Sequence, residues 1–116
     1  GASVYAATGS TLSVASGRLS FALGLQGPSF ATDTACSAGL VAANCASSAL
    51  TLRECDTAVP MATNLMLVEN IHVAFAIASI TSPSGRCHAF DRRADGYARA
   101  EACGAAMRGV AEASGA

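Results

Sequence analysis

Cys36 is the residue whose type and position most clearly indicate chemical reactivity in this sequence. It follows a short run rich in Thr and Phe, FATDTA at 30–35, and it precedes a long segment without charge that ends at Leu52. A cysteine at the start of a helix lies beside unpaired N–H groups and the positive end of the helix dipole, which favour the thiolate. The same N–H groups can stabilise an oxyanion when the thiolate attacks a carbonyl. The pattern predicts a nucleophile that becomes acylated, and the local sequence leaves an inert, buried thiol as the alternative.

The other potentially reactive side chains form no second candidate site. No two of the five cysteines have C-x-x-C spacing, so the sequence predicts no zinc or other metal site. An odd number of cysteines, without a signal peptide, indicates reduced thiols inside the cell, in the cytoplasm or an organelle such as the plastid. His88 directly follows Cys87, but neighbouring side chains of an extended chain point apart. Neither His88 nor His72 is therefore predicted to be a general base.

The elements that would position Cys36 alternate between helix and strand, which predicts an α/β layered architecture. Pro60 is awkward for the strand that contains it, because proline cannot donate to a ladder. The long uncharged segment is too polar for a membrane span and is predicted to be a central buried helix. The elements, in order, are a helix at 13–25, a strand at 30–35, a helix at 34–52, a strand at 56–67, a helix at 70–80 capped by Asn70, a turn at 82–85, a loop at 86–99 and a strand at 103–110.

Composition limits both the core and the partners. The chain has 116 residues with 27 Ala, 11 Gly, no Trp and only six other aromatic residues. Large side chains are too scarce for a self-sufficient core, so we expect residues 1–116 to be a fragment of a larger domain, truncated at both ends. The seven positive residues are all Arg and are scattered along the chain, which predicts binding to neither nucleic acid nor anionic membrane.

Several short motifs, taken in order, resemble those of the β-ketoacyl synthase domains of modular (type I) polyketide synthases. The resemblance covers nearly the whole chain and includes the region around Cys36. The motifs are ASGRLSF at 15–21, GLQGPS at 24–29, DTACS at 33–37, NLML at 64–67, SPSGRC at 82–87, and FD with ADGY at 90–97.

This resemblance implies a thiolase-like fold in which the nucleophilic cysteine begins a buried central helix. Cys36 would accept an acyl chain from an acyl carrier protein, and its own N–H would be one oxyanion donor. A decarboxylative Claisen condensation with a malonyl-type extender would follow, in polyketide or fatty acid biosynthesis. Phe75 and Ile71 fall where related synthases line the acyl pocket, with plain core packing as the alternative. The resemblance implies no cofactor in the domain, since its substrates are phosphopantetheine thioesters, and it implies a homodimeric parent protein.

The sequence also departs from the family pattern. The two histidines that such condensations require lie in motifs downstream of this chain, and neither His72 nor His88 belongs to them, so the catalytic set of residues 1–116 is incomplete. Ala62, Ala100 and Ala102 stand where relatives usually carry Gly. An alternative within the family is a non-elongating domain that acts as a dimer partner or acyl gate, but such domains usually lack the cysteine that is present here.

Overall fold

The computed structural model describes residues 3–110, which fall into two compact units. The first unit runs to Met61 and resumes at Ala105. The second unit is Ala62–Gly104. The unit boundary falls within a pair of strands.

Two helices open the first unit, α1 (Ala6–Ser10) and α2 (Leu12–Leu23). The second of these confirms the helix predicted at 13–25. It ends because Gly24 adopts a left-handed conformation, with φ of 66°, that allows the Leu25 N–H to donate to Ser20 O at 2.9 Å. Glycine adopts this conformation without the steric cost of a Cβ, which explains why the helix ends there.

The long uncharged segment forms α3 (Ala38–Thr51), which confirms the central helix with a later start than predicted. Strand β1 (Thr57–Ala58) pairs antiparallel with β4 (Arg108–Gly109), and both strands contact α3. The Arg108 Nη1 group donates a hydrogen bond to Ser47 Oγ on α3. Most side chains of α3 are half-buried rather than fully enclosed, because these short strands cover only part of the helix.

Strand β2 (Met61–Asn64) pairs with β3 (Ala102–Ala105) in another two-stranded sheet. The sequence predicted one strand at 56–67, whereas the structure has β1 and β2 separated at Val59 and Pro60. Proline has no N–H for a ladder, so the strand breaks where the sequence was least favourable. The strand predicted at 103–110 is likewise divided into β3 and β4.

Helix α4 (Glu69–Ile77) lies in the second unit and confirms the helix predicted at 70–80. The predicted cap was wrong: Val68 precedes the first turn, and Asn70 lies within it. The turn at 82–85 is confirmed by the Gly85 N–H, which donates to Ser82 O at 3.0 Å. The strand predicted at 30–35 does not form, because no described segment pairs with it in a ladder.

Candidate active site

The structure places Cys36 directly before α3, two residues ahead of its first helical residue, Ala38. Ser37 is the N-cap residue between them. The first backbone hydrogen bond of the helix runs from the Val41 N–H to Ser37 O at 3.0 Å. The predicted position of Cys36 at a helix start is thereby confirmed. Its side chain is exposed within residues 3–110, and its role as a nucleophile rather than an inert thiol stays a prediction.

A tight turn delivers the chain to Cys36. The Asp33 carboxylate accepts a hydrogen bond from the Ala35 N–H at 2.9 Å, and Ala35 has a left-handed φ of 54°. Ala35 O accepts in turn from the Ala38 N–H at 3.1 Å. On the other side of the turn, Ser37 Oγ lies 2.9 Å from Thr34 O and 2.8 Å from Thr34 Oγ1. The turn before the helix is therefore fixed by local hydrogen bonds.

Cys36 itself and the first turn of α3 offer unpaired backbone donors. Within residues 3–110, no acceptor lies within hydrogen-bonding geometry of the N–H groups of Cys36, Gly39 and Leu40. Such orphan donors are expected in the first turn of a helix. Ala38 and Gly39 carry little or no side chain beside them, which leaves room for an acyl group. Donors of this kind can stabilise negative charge on a carbonyl oxygen that the thiol attacks.

Phe75 and Ile71 lie on α4, in the second unit, whereas Cys36 belongs to the first. Phe75 is half-buried, and the Arg99 guanidinium carbon lies 4.6 Å from the centroid of its ring. Ile71 is 51% exposed within the described chain. Their assignment to an acyl pocket stays a prediction.

Three side chains that sequence reasoning missed organise the second unit around α4 and β2. The Asn64 amide donates to Ala100 O at 2.6 Å, and Glu101 accepts from the Met66 N–H at 2.6 Å. Arg99 lies against Phe75 and donates to Met66 Sδ at 3.4 Å. The only indication in the sequence was that the motifs NLML and ADGY both belong to the family pattern. Contacts between residues about 35 positions apart cannot be derived from either motif alone.

Cys87 and the two histidines have ordinary structural environments. Cys87 Sγ accepts from the Ala98 N–H at 3.2 Å, so its polar contact is with backbone rather than with the adjacent His88. His88 is half-buried, and His72 is exposed on α4. No cluster of potential metal ligands occurs between residues 3 and 110.

One ion pair lies near the end of the second unit, where Arg93 Nη2 is 2.7 Å from Asp91 Oδ2. The hydrogen bonds from the Arg93 side chain and backbone lower the pKa of Asp91, and the pKa of Arg93 is raised in return. Both groups are solvent-exposed enough that this pair organises a loop rather than a site.

The three alanines at positions where glycine is usual do not strain the backbone. Ala62, Ala100 and Ala102 all lack the positive φ that would make a Cβ costly. The departure from the family pattern is therefore accommodated by ordinary backbone conformations.

The family described as "Beta-ketoacyl synthase, N-terminal domain" matches residues 1–108. The chain belongs to this family. It is 42% identical over 97 residues to the highly reducing polyketide synthase fogA of Aspergillus ruber, a match that covers 84% of this chain and 4% of that protein. It is 43% identical over 101 residues to the orsellinic acid synthase ArmB of Armillaria ostoyae, a match that covers 87% of this chain and 5% of that protein.

Solved ketosynthases share the fold. The ketosynthase from module 6 of the bacillaene synthase of Bacillus subtilis 168 matches with a TM-score of 0.82 and 35% identity, over 86% of this chain and 18% of that one. The oxazolomycin ketosynthase domain OzmH KS7 of Streptomyces albus JA3453 matches with a TM-score of 0.82 and 33% identity, over 84% of this chain and 18% of that one. The predicted α/β, thiolase-like fold is thus confirmed for a chain that spans less than a fifth of these ketosynthases.

Proposed function

We propose that this chain is the segment of a polyketide synthase ketosynthase domain that carries the acyl-accepting thiol, Cys36. The observation that supports this most directly is the exposed cysteine immediately before α3, beside unpaired N–H groups, in a chain that belongs to the β-ketoacyl synthase family. Residues 1–116 would form the N-terminal part of that domain.

In the first half-reaction, the Cys36 thiolate attacks the thioester carbonyl of an acyl chain carried on phosphopantetheine. The carbonyl oxygen becomes an oxyanion, and the Cys36 N–H donates to it. When the tetrahedral intermediate collapses, the C–S bond to the carrier breaks and the carrier thiolate leaves and takes up a proton. The acyl chain is then a thioester of Cys36.

In the second half-reaction, a malonyl-type extender on a carrier protein loses CO₂, and the resulting enolate carbon attacks the Cys36 thioester. A C–C bond forms, the C–S bond to Cys36 breaks, and the thiol is regenerated. The histidines that assist decarboxylation would come from protein outside this chain, since neither His72 nor His88 belongs to the histidine motifs of the family.

The proposal includes an acyl carrier protein as partner, a homodimeric parent protein, and a cytoplasmic or organellar location. It requires no cofactor of the domain beyond the phosphopantetheine arm of the carrier. The polyketide synthase relatives support the carrier protein as partner. None of the helices between residues 3 and 110 has the length and hydrophobicity of a membrane-spanning segment.

Acyl loading of the full-length protein that contains this chain tests the proposal. An acyl N-acetylcysteamine thioester should add one acyl group to Cys36, detected by peptide mass spectrometry, and Cys36→Ala should abolish it. Cys87→Ala is the matched control, since Cys87 is also exposed, and it should load normally. Acylation spread over all cysteines, or confined to Cys87, would contradict the assignment. Loading without any condensation would favour the non-elongating alternative.

A further inference from the structure

We propose that Asp33 is a positioning residue for the nucleophile, which holds the turn that aims the Cys36 thiol and N–H. The inference rests on the proposed role of Cys36. Its evidence is the hydrogen bond of 2.9 Å from the Ala35 N–H to Asp33 Oδ1, together with the left-handed conformation of Ala35.

Ala35 requires support because its φ of 54° places an L-residue where Cβ crowds the backbone. Such conformations persist only when the surrounding structure over-determines them. Here the N–H of Ala35 is held by Asp33, and its carbonyl oxygen is held by the Ala38 N–H at 3.1 Å. Ala38 belongs to α3 and is fixed by the helix. On the N-terminal side of Ala35, Asp33 accepts from the Ala35 N–H, and Ser37 Oγ donates to Thr34 O of the same peptide group at 2.9 Å.

The conformation of Ala35 matters for chemistry because the next peptide group carries the Cys36 N–H. If Ala35 relaxed to a negative φ, the peptide plane between residues 35 and 36 would rotate. The N–H proposed as an oxyanion donor would then change direction, and the Cys36 side chain would shift relative to the start of α3. Asp33 therefore acts through Ala35, without touching the substrate.

The test removes the hydrogen bond between Asp33 and the Ala35 N–H in one variant, and in a second variant it also relieves the steric strain at position 35. In the full-length protein, Asp33→Ala should slow acyl transfer from the N-acetylcysteamine thioester to Cys36 about fivefold, the factor for one lost hydrogen bond of ordinary strength. Asp33→Asn should retain most of the rate, because its side-chain oxygen accepts the same bond. Gly tolerates positive φ, so Asp33→Ala combined with Ala35→Gly should recover to within about twofold of the parent protein.

A second readout separates this inference from the proposed function. The rate at which iodoacetamide alkylates Cys36 reports the position of the thiol whether or not the protein accepts acyl groups. It should fall in Asp33→Ala and recover in the double variant. The matched control is Asp95→Ala, since Asp95 is an exposed carboxylate whose side chain bonds to none of residues 3–110, and it should leave both rates unchanged.

Any one of three results would overturn the inference. The first is an Asp33→Ala protein that reacts at the parental rate with iodoacetamide. The second is an Asp33→Asn protein as slow as Asp33→Ala, and the third is a double variant that fails to recover, because charge rather than the turn would then be responsible. If the parent protein takes up no acyl group but the alkylation series behaves as expected, the proposed function fails and the positioning role of Asp33 stands.

Discussion

Gly96 lies where two backbone segments of the second unit approach each other closely. Its φ is 133°, and a Cβ built there would lie 2.5 Å from Thr81 C and 2.6 Å from Ser82 N. Ser82 and Tyr97 are also joined across this point, since the Ser82 N–H donates to Tyr97 O at 3.0 Å. A side chain at position 96 would have to separate two backbone segments, and backbone cannot move aside as a flexible side chain can.

Gly96→Ala should therefore destabilise this crossing by roughly 2–4 kcal/mol, through strained backbone and overpacking. Hydrogen exchange of the Ser82 and Tyr97 amides in the full-length protein should accelerate accordingly. Gly85→Ala, with a positive φ but open space around it, should cost only about 1 kcal/mol. Gly104→Ala, which has neither problem, should be nearly neutral. Equal exchange in the Gly96 and Gly104 variants would show that the close approach is not maintained in solution.

The Asp91–Arg93 pair should produce a measurable titration difference. Its hydrogen bonds hold the pKa of Asp91 below the ordinary value of 3.8. Because the folded-state pKa is depressed, the pair contributes stability above the unfolded pKa and loses it as pH falls through the folded one. Arg93→Gln should raise the pKa of Asp91 towards 3.8, measured by NMR of carboxyl-labelled aspartate. Arg92→Gln is the control, and an unchanged Asp91 titration in Arg93→Gln would contradict the pairing.

At the residue scale, the sequence predicted the location of the thiol but not the turn that presents it. A Thr- and Phe-rich run followed by a long uncharged segment indicated a helix beginning near Cys36, and the helix begins there. The left-handed Ala35 carries no such signal, because alanine normally avoids this region. Its conformation depends on a hydrogen bond to Asp33 that only the folded turn reveals.

At the scale of elements, α4 is held by contacts from the end of the polar loop. The Arg99 guanidinium covers the Phe75 ring and also reaches Met66 Sδ, while Glu101 accepts from the Met66 N–H instead of pairing with Arg99. No carboxylate between residues 3 and 110 forms an ion pair with Arg99. The attachment of Arg99 to α4 therefore depends on the aromatic face of Phe75. A substitution at either residue should reduce the stability that the other contributes.

A double-mutant cycle with Arg99→Ala and Phe75→Leu should give a coupling free energy of about 0.5–1 kcal/mol. The reason is that each single change already removes the cation–π contact, so the second change costs less. Denaturant unfolding of the full-length protein, monitored by hydrogen exchange of the α4 amides, measures this coupling free energy. Arg86→Ala with Phe75→Leu is the matched cycle and should show no coupling. A value near zero for the Arg99 cycle would contradict the contact.

Three of the four helices within residues 3–110 were predicted from the sequence, all but the five-residue α1, whereas strands were predicted less accurately. The stop signal at Gly24 and the uncharged run of α3 are properties of contiguous residues, which is why both helices were found. A strand needs a partner as well as a suitable composition. Within the described range, residues 30–35 have the composition and no partner, and the segment at 56–67 divides at Pro60, where a ladder cannot continue.

At the scale of the whole molecule, the described chain leaves its large apolar side chains in contact with solvent. None of them within residues 3–110 is buried, and Ser82 is the one buried residue in that range. Phe21 is 91% exposed and Leu40, on α3, is 79% exposed. Surfaces of this kind are normally covered by other protein. The matched ketosynthase chains are more than five times the length of the segment that matches, which supports the view that further elements provide that cover.

Residues 1–116 prepared as an isolated polypeptide should therefore bind the dye ANS strongly and unfold without a sharp thermal transition. The physical reason is that a domain of about this size folds cooperatively by burying roughly two-thirds of its unfolded surface, and this chain buries no large apolar side chain in the described range. Fluorescence and calorimetry measure both properties. The full-length protein is the control and should bind little dye. A cooperative transition and weak dye binding for residues 1–116 alone would show that this small, alanine-rich segment is stable without the rest of a ketosynthase.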